Sequence, residues 1–392
     1  MLSQLFGYVE TSEGNANAML CIDKDIPNEF MIHIWGQGIT SKAILVLASE
    51  ISPKTYNLQT IKVYSINQRG GLIEANLTQD EVRYYKGLTA ELVESDEGVN
   101  GFWADANEGK GVIHFSKELE QQEINPVICN TWAEFKNWTI KVRDEDDVFI
   151  FRGHSSHKYR LETTLSRSGR NRLERYCAEE LLQFKEHAEA ILGNRIDMNN
   201  GDDYAMLLGL AQHHGLPTPL LDWTKSPYIA AFFAFSNALE HASERDSTYV
   251  RIFGITREFY KNKSPPTVIL PFIEPYVCCL SISSLNNPRL YAQQGQFLVT
   301  NVHNLSTLLN GIDVVSGKKS LFAVDMPITI AAEVLEDLAY MGLTAANLFP
   351  GLDGVSKIIR HEMEFKRKSN IVSQIDLSES ASTSMLQNEF KK

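Results

Sequence analysis

Short apolar runs separated by polar turns dominate the first third of the chain. Three of these runs lie at residues 30–35, 43–47 and 60–64. Runs of this length between clusters of Gly, Pro, Asn and Ser predict the strands of a small sandwich or barrel. Residues 107–111 predict a hairpin connection between the apolar segments 102–103 and 112–115. We therefore predict a β-rich N-terminal module over residues 1–125, in which no spacing of side chains is typical of a ligand site.

Beyond a linker at residues 116–130, helical and strand patterns alternate. The apolar periodicity predicts helices at residues 132–142, 173–192, 203–213, 228–239 and 330–341, and a basic final helix that ends at about residue 368. Continuous apolar runs predict strands at residues 148–151, 220–224, 249–255, 297–302 and 321–325. This mixture indicates an α+β domain over residues 131–368, and the Ser-rich polar tail at 369–392 is typical of disorder.

The strand predicted at residues 148–151 ends in Arg152 and Gly153. An arginine at the end of a buried strand is well placed to hold a phosphate, because its planar guanidinium binds two phosphate oxygens and stays charged. Gly153 would let the backbone turn or let a ligand approach closely. The alternative is a surface arginine that pairs with Asp144 or Asp146.

Composition and charge narrow the class of protein. The net charge of −12 argues against sequence-independent binding of a nucleic-acid duplex over a broad surface. The odd number of cysteines, five, and the absence of a C-x-x-C spacing are typical of reduced thiols in a cytoplasm. No apolar run approaches the roughly 20 residues that span a bilayer. We therefore expect a cytoplasmic protein without a membrane partner.

Common catalytic signatures are missing, and one basic cluster stands out. The chain contains no phosphate-binding loop, no dinucleotide-binding glycine motif and no H-E-x-x-H. The adjacent pair His213-His214 does not direct both rings at one metal, so no metal is expected. Basic residues are concentrated after the Arg152 strand, at Lys158, Arg160, Arg167, Arg170, Arg172 and Arg175. This segment either binds a pyrophosphate or a nucleic-acid backbone, or is a solvated loop followed by a helix start.

Four motifs, in order, resemble those of the FRG domain, a family named for its Phe-Arg-Gly signature. They are Phe151-Arg152-Gly153, His214-Gly215-Leu216-Pro217-Thr218 running into Leu221-Asp222-Trp223-Thr224, Gln293-Gln294-Gly295 before Phe297, and Leu348-Phe349-Pro350 with Leu352-Asp353-Gly354. The resemblance does not cover the β-rich N-terminal part.

FRG domains resemble the ADP-ribosyltransferase fold, in which motifs from three strands hold NAD. The resemblance implies that Arg152 and Gly153 form the first motif and that Thr224 ends the second. The third motif normally supplies a glutamate that supports the oxocarbenium-like transition state. This chain has Gln293 and Gln294 at that place, and a neutral amide stabilises positive charge less well. Either another carboxylate, such as Asp222, takes part, or the domain only binds its ligand.

The resemblance therefore implies an NAD-dependent ADP-ribosyltransferase that modifies a macromolecule, with RNA favoured over protein. It also implies a toxin or anti-phage effector that an antitoxin protein would neutralise. Arg152 would clamp the pyrophosphate, Thr224 would order the nicotinamide–ribose pocket and Gln293 or Gln294 would bond the ribose. His214 or Asp222 would shape the acceptor side. The alternatives are a non-catalytic nucleotide- or protein-binding module, an NAD glycohydrolase and, further off, a nuclease.

Overall fold

Two β-sheets organise the molecule. The computed structural model describes residues 3–68, 70–117, 124–240, 247–261, 271–280, 282, 287–352, 354–360 and 363. The N-terminal sheet has nine strands and the C-terminal sheet has seven. The predicted α+β class is confirmed, whereas the tail at 369–392 lies outside the described residues.

The N-terminal sheet closes on itself. Its elements are β1 (Gln4–Thr11), β2 (Gly14–Ile22), β3 (Glu29–Trp35), β4 (Lys42–Ser52), β5 (Thr55–Ile66), β6 (Leu72–Glu74), α1 (Gln79–Gly87), β7 (Thr89–Glu94), β8 (Gly98–Ala104) and β9 (Lys110–Ser116). The strands pair in the order β4-β3-β2-β1-β9-β8-β7-β5, and β4 also pairs with β5, so that eight antiparallel strands form a barrel. The three predicted strands and the hairpin between β8 and β9 are confirmed. An eight-stranded barrel has an interior just wide enough for side chains or one small ligand.

The C-terminal sheet carries helices on both faces. Its elements are β10 (Val127–Ile128), α2 (Trp132–Asp146), β11 (Val148–His154), α3 (Thr164–Arg167), α4 (Leu173–Tyr176), α5 (Leu182–Leu192), α6 (Gly201–His213), β12 (Leu220–Thr224), α7 (Pro227–Glu240), β13 (Tyr249–Thr256), α8 (Arg257–Lys261), β14 (Val277–Leu280), α9 (Pro288–Ala292), β15 (Gly295–Thr300), α10 (Leu305–Ser316), β16 (Leu321–Pro327), α11 (Ala331–Tyr340) and α12 (Ala345–Leu348). The strand order is β10-β16-β13-β11-β12-β15-β14, which places β11 and β12 at the centre.

Local signals placed most of these helices correctly. The Thr131 hydroxyl caps α2 by accepting a hydrogen bond from the Glu134 amide at 3.2 Å, and Gly193 ends α5 in a left-handed conformation. One expectation was wrong, because the linker expected at 116–130 contains β10, which pairs in parallel with β16. The helix expected at 173–192 is present, with a π-helical turn at Cys177–Leu181 inside it.

Helix α7 is buried as its all-round apolar sequence predicts. It packs with α2 and α11 on one face of the C-terminal sheet, in a core that includes Phe135, Phe151 and Phe235. Helix α10 and the strand residues Ile150 and Trp223 form the core on the other face. Among the described residues, no helix combines the length and the apolar composition needed to cross a bilayer.

The barrel and the C-terminal sheet share buried polar contacts. Gln4 donates to the Asn301 carbonyl at 2.8 Å and accepts from the His303 amide at 2.7 Å. The His33 ring bonds the Ile273 carbonyl at 3.0 Å. Asp23, which is fully buried, accepts from the amide of Asn171 at 2.7 Å. Buried polar groups require such partners, so these bonds fix how the two parts meet.

Candidate functional site

A cleft opens where the central strands β11 and β12 separate. The two strands pair only between Phe151 and Thr224, and Arg152 and Gly153 follow on one side of this pair. Helix α7 packs against β11 so closely that a Cβ atom at residue 153 would lie 2.0 Å from the Ala230 carbonyl oxygen. Gly153 is therefore required by the approach of a helix, which differs from the turn or ligand contact that the sequence suggested.

The cleft leads into a cavity of about 290 Å³. Its polar lining comes from four separate stretches of the chain, within β11, at the end of α6, along β12 and α7, and before β15. The polar residues that line it are Arg152, Gln212, His213, Asp222, Thr224, Asn237, Asn287, Arg289 and Gln293. Five residues proposed from the sequence meet here, namely Arg152, Gly153, Asp222, Thr224 and Gln293.

The Arg152 guanidinium spans the gap between the two strands. Its Nη1 donates to the main-chain oxygen of Asp222 at 2.5 Å, and its Nε donates to Nε2 of His154 at 3.1 Å. Among the described residues, Nη2 has no hydrogen-bond partner, so part of the guanidinium can meet a ligand. Burial lowers the pKa of Arg152, against the nearby Asp222 charge, but an arginine stays protonated at neutral pH.

His154 orients this arginine, a role that no sequence pattern indicated. Burial, reinforced by the Arg152 charge, holds the His154 pKa well below its usual value, so the imidazole is neutral. Its Nε2 accepts from Arg152, and its Nδ1 then carries the proton toward the Tyr159 carbonyl oxygen, 3.4 Å away. A neutral acceptor thus positions the guanidinium without forming an ion pair with it.

Asp222 provides a carboxylate to the cavity. Its Oδ2 accepts from Gln212 Nε2 at 3.0 Å, and Gln212 in turn accepts from the Thr218 hydroxyl. Its Oδ1 has no hydrogen-bond partner within the described part of the chain. Asp222 is the only acidic residue that lines this cavity in the described ranges. The carboxylate is therefore held in position while one oxygen stays available.

Thr224 and Gln293 are tied to their neighbours. The Thr224 hydroxyl donates to the Gln293 carbonyl at 2.8 Å and accepts from the Ser226 amide at 3.1 Å. The Gln293 side chain donates to the Leu348 carbonyl at 2.9 Å, which leaves its Oε1 without a partner among the described residues. The second, third and fourth motifs are thus joined by hydrogen bonds, with Leu348 holding the amide that faces the cavity. Asp353 of the fourth motif lies outside the described residues.

Gln294 and His214 do not line the cavity. Gln294 is exposed in a left-handed turn with φ of 48°, and His214 is exposed at the end of α6. Gln296 is also turned away, because its Oε1 accepts from the Tyr260 hydroxyl. The roles expected for Gln294 and His214 as ribose-binding and acceptor-side residues are therefore not supported by their positions.

One arginine and one histidine at the cavity were missed from the sequence. Arg289, in α9, lies 4.8 Å from the centre of the Phe349 ring, and no hydrogen bond or ion pair holds its guanidinium within the described residues. His213 lines the cavity in place of His214, and partial burial together with His214 and Arg289 lowers its pKa. Asn287-Pro288 is a typical helix start and could have predicted α9. It does not predict that the Arg289 side chain points toward the cavity.

The basic segment after β11 is largely neutralised. Arg170 and Arg175 both contact Asp23 and Asp25 of the barrel, at distances from 2.9 to 3.3 Å. Arg172, almost fully buried, pairs with Glu29 at 2.6 Å and with Glu174 at 2.7 Å. These three arginines join the barrel to the C-terminal domain, so the ligand role, one of the two roles left open for them by the sequence, is not supported. Their barrel partners are more than 140 residues away in sequence, so that pairing was not visible there, although each arginine also has a nearby acidic partner, Glu180, Glu174 or Glu179.

Within the described ranges, no three His, Cys, Asp or Glu side chains lie close enough together to hold a metal ion. None of the five cysteines forms a disulfide. Burial raises the pKa of the Cys21 and Cys177 thiols to about 12. Such thiols stay protonated at neutral pH and are poor nucleophiles.

The comparison with known families agrees with the motifs. The family model of the FRG domain matches residues 147–243, from the start of β11 to just beyond α7. No curated protein and no solved structure matches the chain. The match contains Arg152, Gly153, Asp222 and Thr224, whereas Gln293 follows it in sequence. The predicted resemblance is confirmed, and the chain carries an FRG domain at residues 147–243.

Proposed function

We propose that the cavity binds NAD and that the protein transfers ADP-ribose from it to a macromolecule. The observation that carries this proposal is the meeting of two incompletely paired guanidinium groups, Arg152 and Arg289, with one held carboxylate, Asp222. Such a combination suits a ligand with a pyrophosphate beside a centre that becomes positively charged. NAD is larger than the cavity, so part of the dinucleotide would lie in its open mouth.

The two arginines would hold the pyrophosphate. Charge-assisted hydrogen bonds from guanidinium groups to phosphate oxygens are about twice as strong as neutral ones. Nε and Nη1 of Arg152 are bonded to His154 and Asp222, whereas Nη2 has no partner among the described residues and can donate to a phosphate. Arg289 is exposed and stacks on Phe349, so its donors face solvent and can turn toward a phosphate.

Asp222 would take the part that a glutamate plays in related ADP-ribosyltransferases. In the transfer, the bond between the ribose and nicotinamide breaks and its electron pair leaves with nicotinamide. The ribose carbon becomes positively charged, bonds to a nucleophilic atom of the acceptor, and the acceptor loses a proton. A fixed carboxylate near the ribose stabilises this charge, because it needs no reorganisation in the transition state. Gln293 would hydrogen-bond a ribose hydroxyl through its Oε1.

The acceptor is proposed to be RNA or, as the second choice, protein. The case for RNA rests on the family resemblance alone, because three of the six basic residues of the segment, Arg170, Arg172 and Arg175, are paired with acidic residues of the barrel. The same resemblance supports a toxin or anti-phage role with a neutralising antitoxin protein. RNA and protein should therefore be tested as acceptors in the same experiment.

The test uses NAD labelled in its adenosine part, with cellular RNA and protein supplied as separate acceptors. We expect wild type to label one of them, and Asp222→Asn to lower the rate about 10²- to 10³-fold with little change in NAD affinity. Arg152→Lys should weaken NAD binding, because lysine cannot bind bidentately. Arg195→Ala, which removes an exposed arginine outside the cavity, is the matched control.

Each alternative gives a different result. Release of free ADP-ribose without a labelled macromolecule would indicate a glycohydrolase, and NAD binding without any turnover would indicate a binding module. Wild-type protein that neither binds NAD nor changes it would refute the proposal. Degradation of RNA without NAD would support a nuclease instead.

A further inference from the structure

The interior of the N-terminal barrel is not completely filled. A second cavity, of about 110 Å³, lies inside the barrel and opens beside α1. It is separate from the cleft between β11 and β12, and the two share no lining residue. Small barrels either fill their interior with side chains or hold one small ligand. The unfilled space is therefore a candidate binding site for one small ligand.

The floor of this cavity is aliphatic. The branched side chains that line it come from β1, β3, β4, β5 and β9, and they are Val9, Ile32, Ile34, Ile44, Val46, Leu58 and Ile113. All of them are buried in the barrel core. An apolar cavity of roughly 150 Å³ stays dry and accepts benzene. The barrel cavity is somewhat smaller, so its size suits a phenyl ring or a short branched chain.

The mouth of the cavity is amphipathic and carries one available cation. Tyr84, Tyr85 and Trp103 line it, as do Lys42 and Glu13. The Glu13 carboxylate already accepts from the Thr40 amide at 2.7 Å and the Thr40 hydroxyl at 3.1 Å, and these bonds lower its pKa.

Lys42, in contrast, is held only loosely. Its Nζ lies 6.0 Å from the centre of the Tyr85 ring, and it forms no hydrogen bond or ion pair within the described residues. The mouth thus presents an ammonium group that makes no direct ion pair, near a Glu13 carboxylate that is bonded to Thr40 and whose pKa the Lys42 charge also lowers. This arrangement favours a ligand with an apolar body and a negative head.

We propose that the barrel binds a small hydrophobic carboxylate, with its apolar body in the aliphatic cavity and its carboxylate on Lys42. Sites of this kind are mostly apolar with a few polar groups that fix orientation, and the mouths of β-barrels are a frequent location. The proposal is independent of NAD binding, because none of its residues lines the FRG cavity.

The test measures binding to the full chain by calorimetry and ligand-observed NMR. The probes are phenylacetate, 4-methylpentanoate and the neutral analogue phenylacetamide. We expect both acids to bind and the amide to bind at least about tenfold more weakly, because its neutral head cannot accept a charge-assisted hydrogen bond from Lys42 as strongly as a carboxylate does. Lys42→Met should weaken the acids about tenfold and leave the amide within about twofold.

Two further variants separate the site from general effects. Ile44→Phe places a ring in the cavity and should abolish binding of all three probes, with folding checked by circular dichroism. Lys62→Met removes a barrel lysine that pairs with Glu74 outside the cavity, and should change nothing. Absence of acid binding at millimolar concentration, or equal affinity for acid and amide, would overturn the proposal. Binding that survives both Lys42→Met and Ile44→Phe would overturn it as well.

Discussion

Replacing Gly153 by alanine should destabilise the FRG domain by forcing β11 and α7 apart. The new Cβ would lie 2.0 Å from the Ala230 carbonyl oxygen and 3.0 Å from the Ala234 Cβ. Ordinary van der Waals contact begins at about 3.4 Å, so β11 and α7 would have to separate by more than about 1 Å in a close-packed core. Overpacking of this kind costs about 1–3 kcal/mol. In a domain of this size, each kcal/mol lowers the melting temperature by about 2–4 °C.

The measurement is urea unfolding and thermal melting of Gly153→Ala beside Gly311→Ala. Gly311 lies inside α10 and has no atom within 4 Å of the position where a Cβ would be added. Alanine there should stabilise the protein by about 0.5–1 kcal/mol, because glycine is costly inside a helix. Both substitutions add one methyl group. If the free energy of unfolding falls for Gly153→Ala and rises for Gly311→Ala, the difference is caused by the close packing at residue 153. An unchanged melting temperature for Gly153→Ala would refute the steric explanation.

Two other predictions concern buried polar groups. Burial lowers the pKa of His33 from 6.5 to about 4. As pH falls below 6.5, the unfolded state therefore binds a proton at His33 before the folded state does. The free energy of unfolding, measured in urea, should consequently be about 2 kcal/mol lower at about pH 5 than at pH values above 6.5. Thr224→Val should lower the free energy of unfolding by about 1–3 kcal/mol, because the Gln293 carbonyl and the Ser226 amide each lose a partner.

Conservative variants serve as controls for both. His33→Gln keeps a donor for the Ile273 carbonyl but does not titrate, so its stability should fall less between pH 8 and about pH 5. Equal losses in wild type and His33→Gln would show that other groups cause the pH dependence. Thr224→Ser retains the hydroxyl and should stay close to wild type. If the valine and serine variants unfold at the same urea concentration, the Thr224 bonds do not stabilise the fold.

Sequence reasoning succeeded where the information is local. Strand β12 was predicted with the bounds that the structure shows, because its apolar residues lie between two prolines and a helix start. The cap of α2 by Thr131 and the end of α5 at Gly193 follow from short-range hydrogen bonding and from a left-handed turn. The order of the motifs was enough to bring Arg152, Thr224 and Gln293 to one cavity.

It failed where a partner is distant in sequence. The arginines at 170, 172 and 175 looked like a ligand-binding cluster because Asp23, Asp25 and Glu29 come from the barrel. Gln294 and Gln293 are adjacent and chemically equal, but a left-handed turn at residue 294 sends their side chains in different directions. Neither distinction depends on composition or periodicity, since the first is set by tertiary contacts and the second by the conformation of one turn.

Because β11 and β12 lie in the middle of the C-terminal sheet, a fragment of this chain needs the strands on both sides of them in order to fold. The family match at 147–243 contains only these two strands of the seven-stranded sheet. Their outer neighbours, β13 and β15, come from later sequence, and charged partners of the matched arginines come from the barrel. A fragment cut at the family boundaries would expose two sheet edges and orphan several buried charges, both of which promote aggregation or unfolding. Biochemical work should therefore begin with the barrel and the complete sheet in one polypeptide.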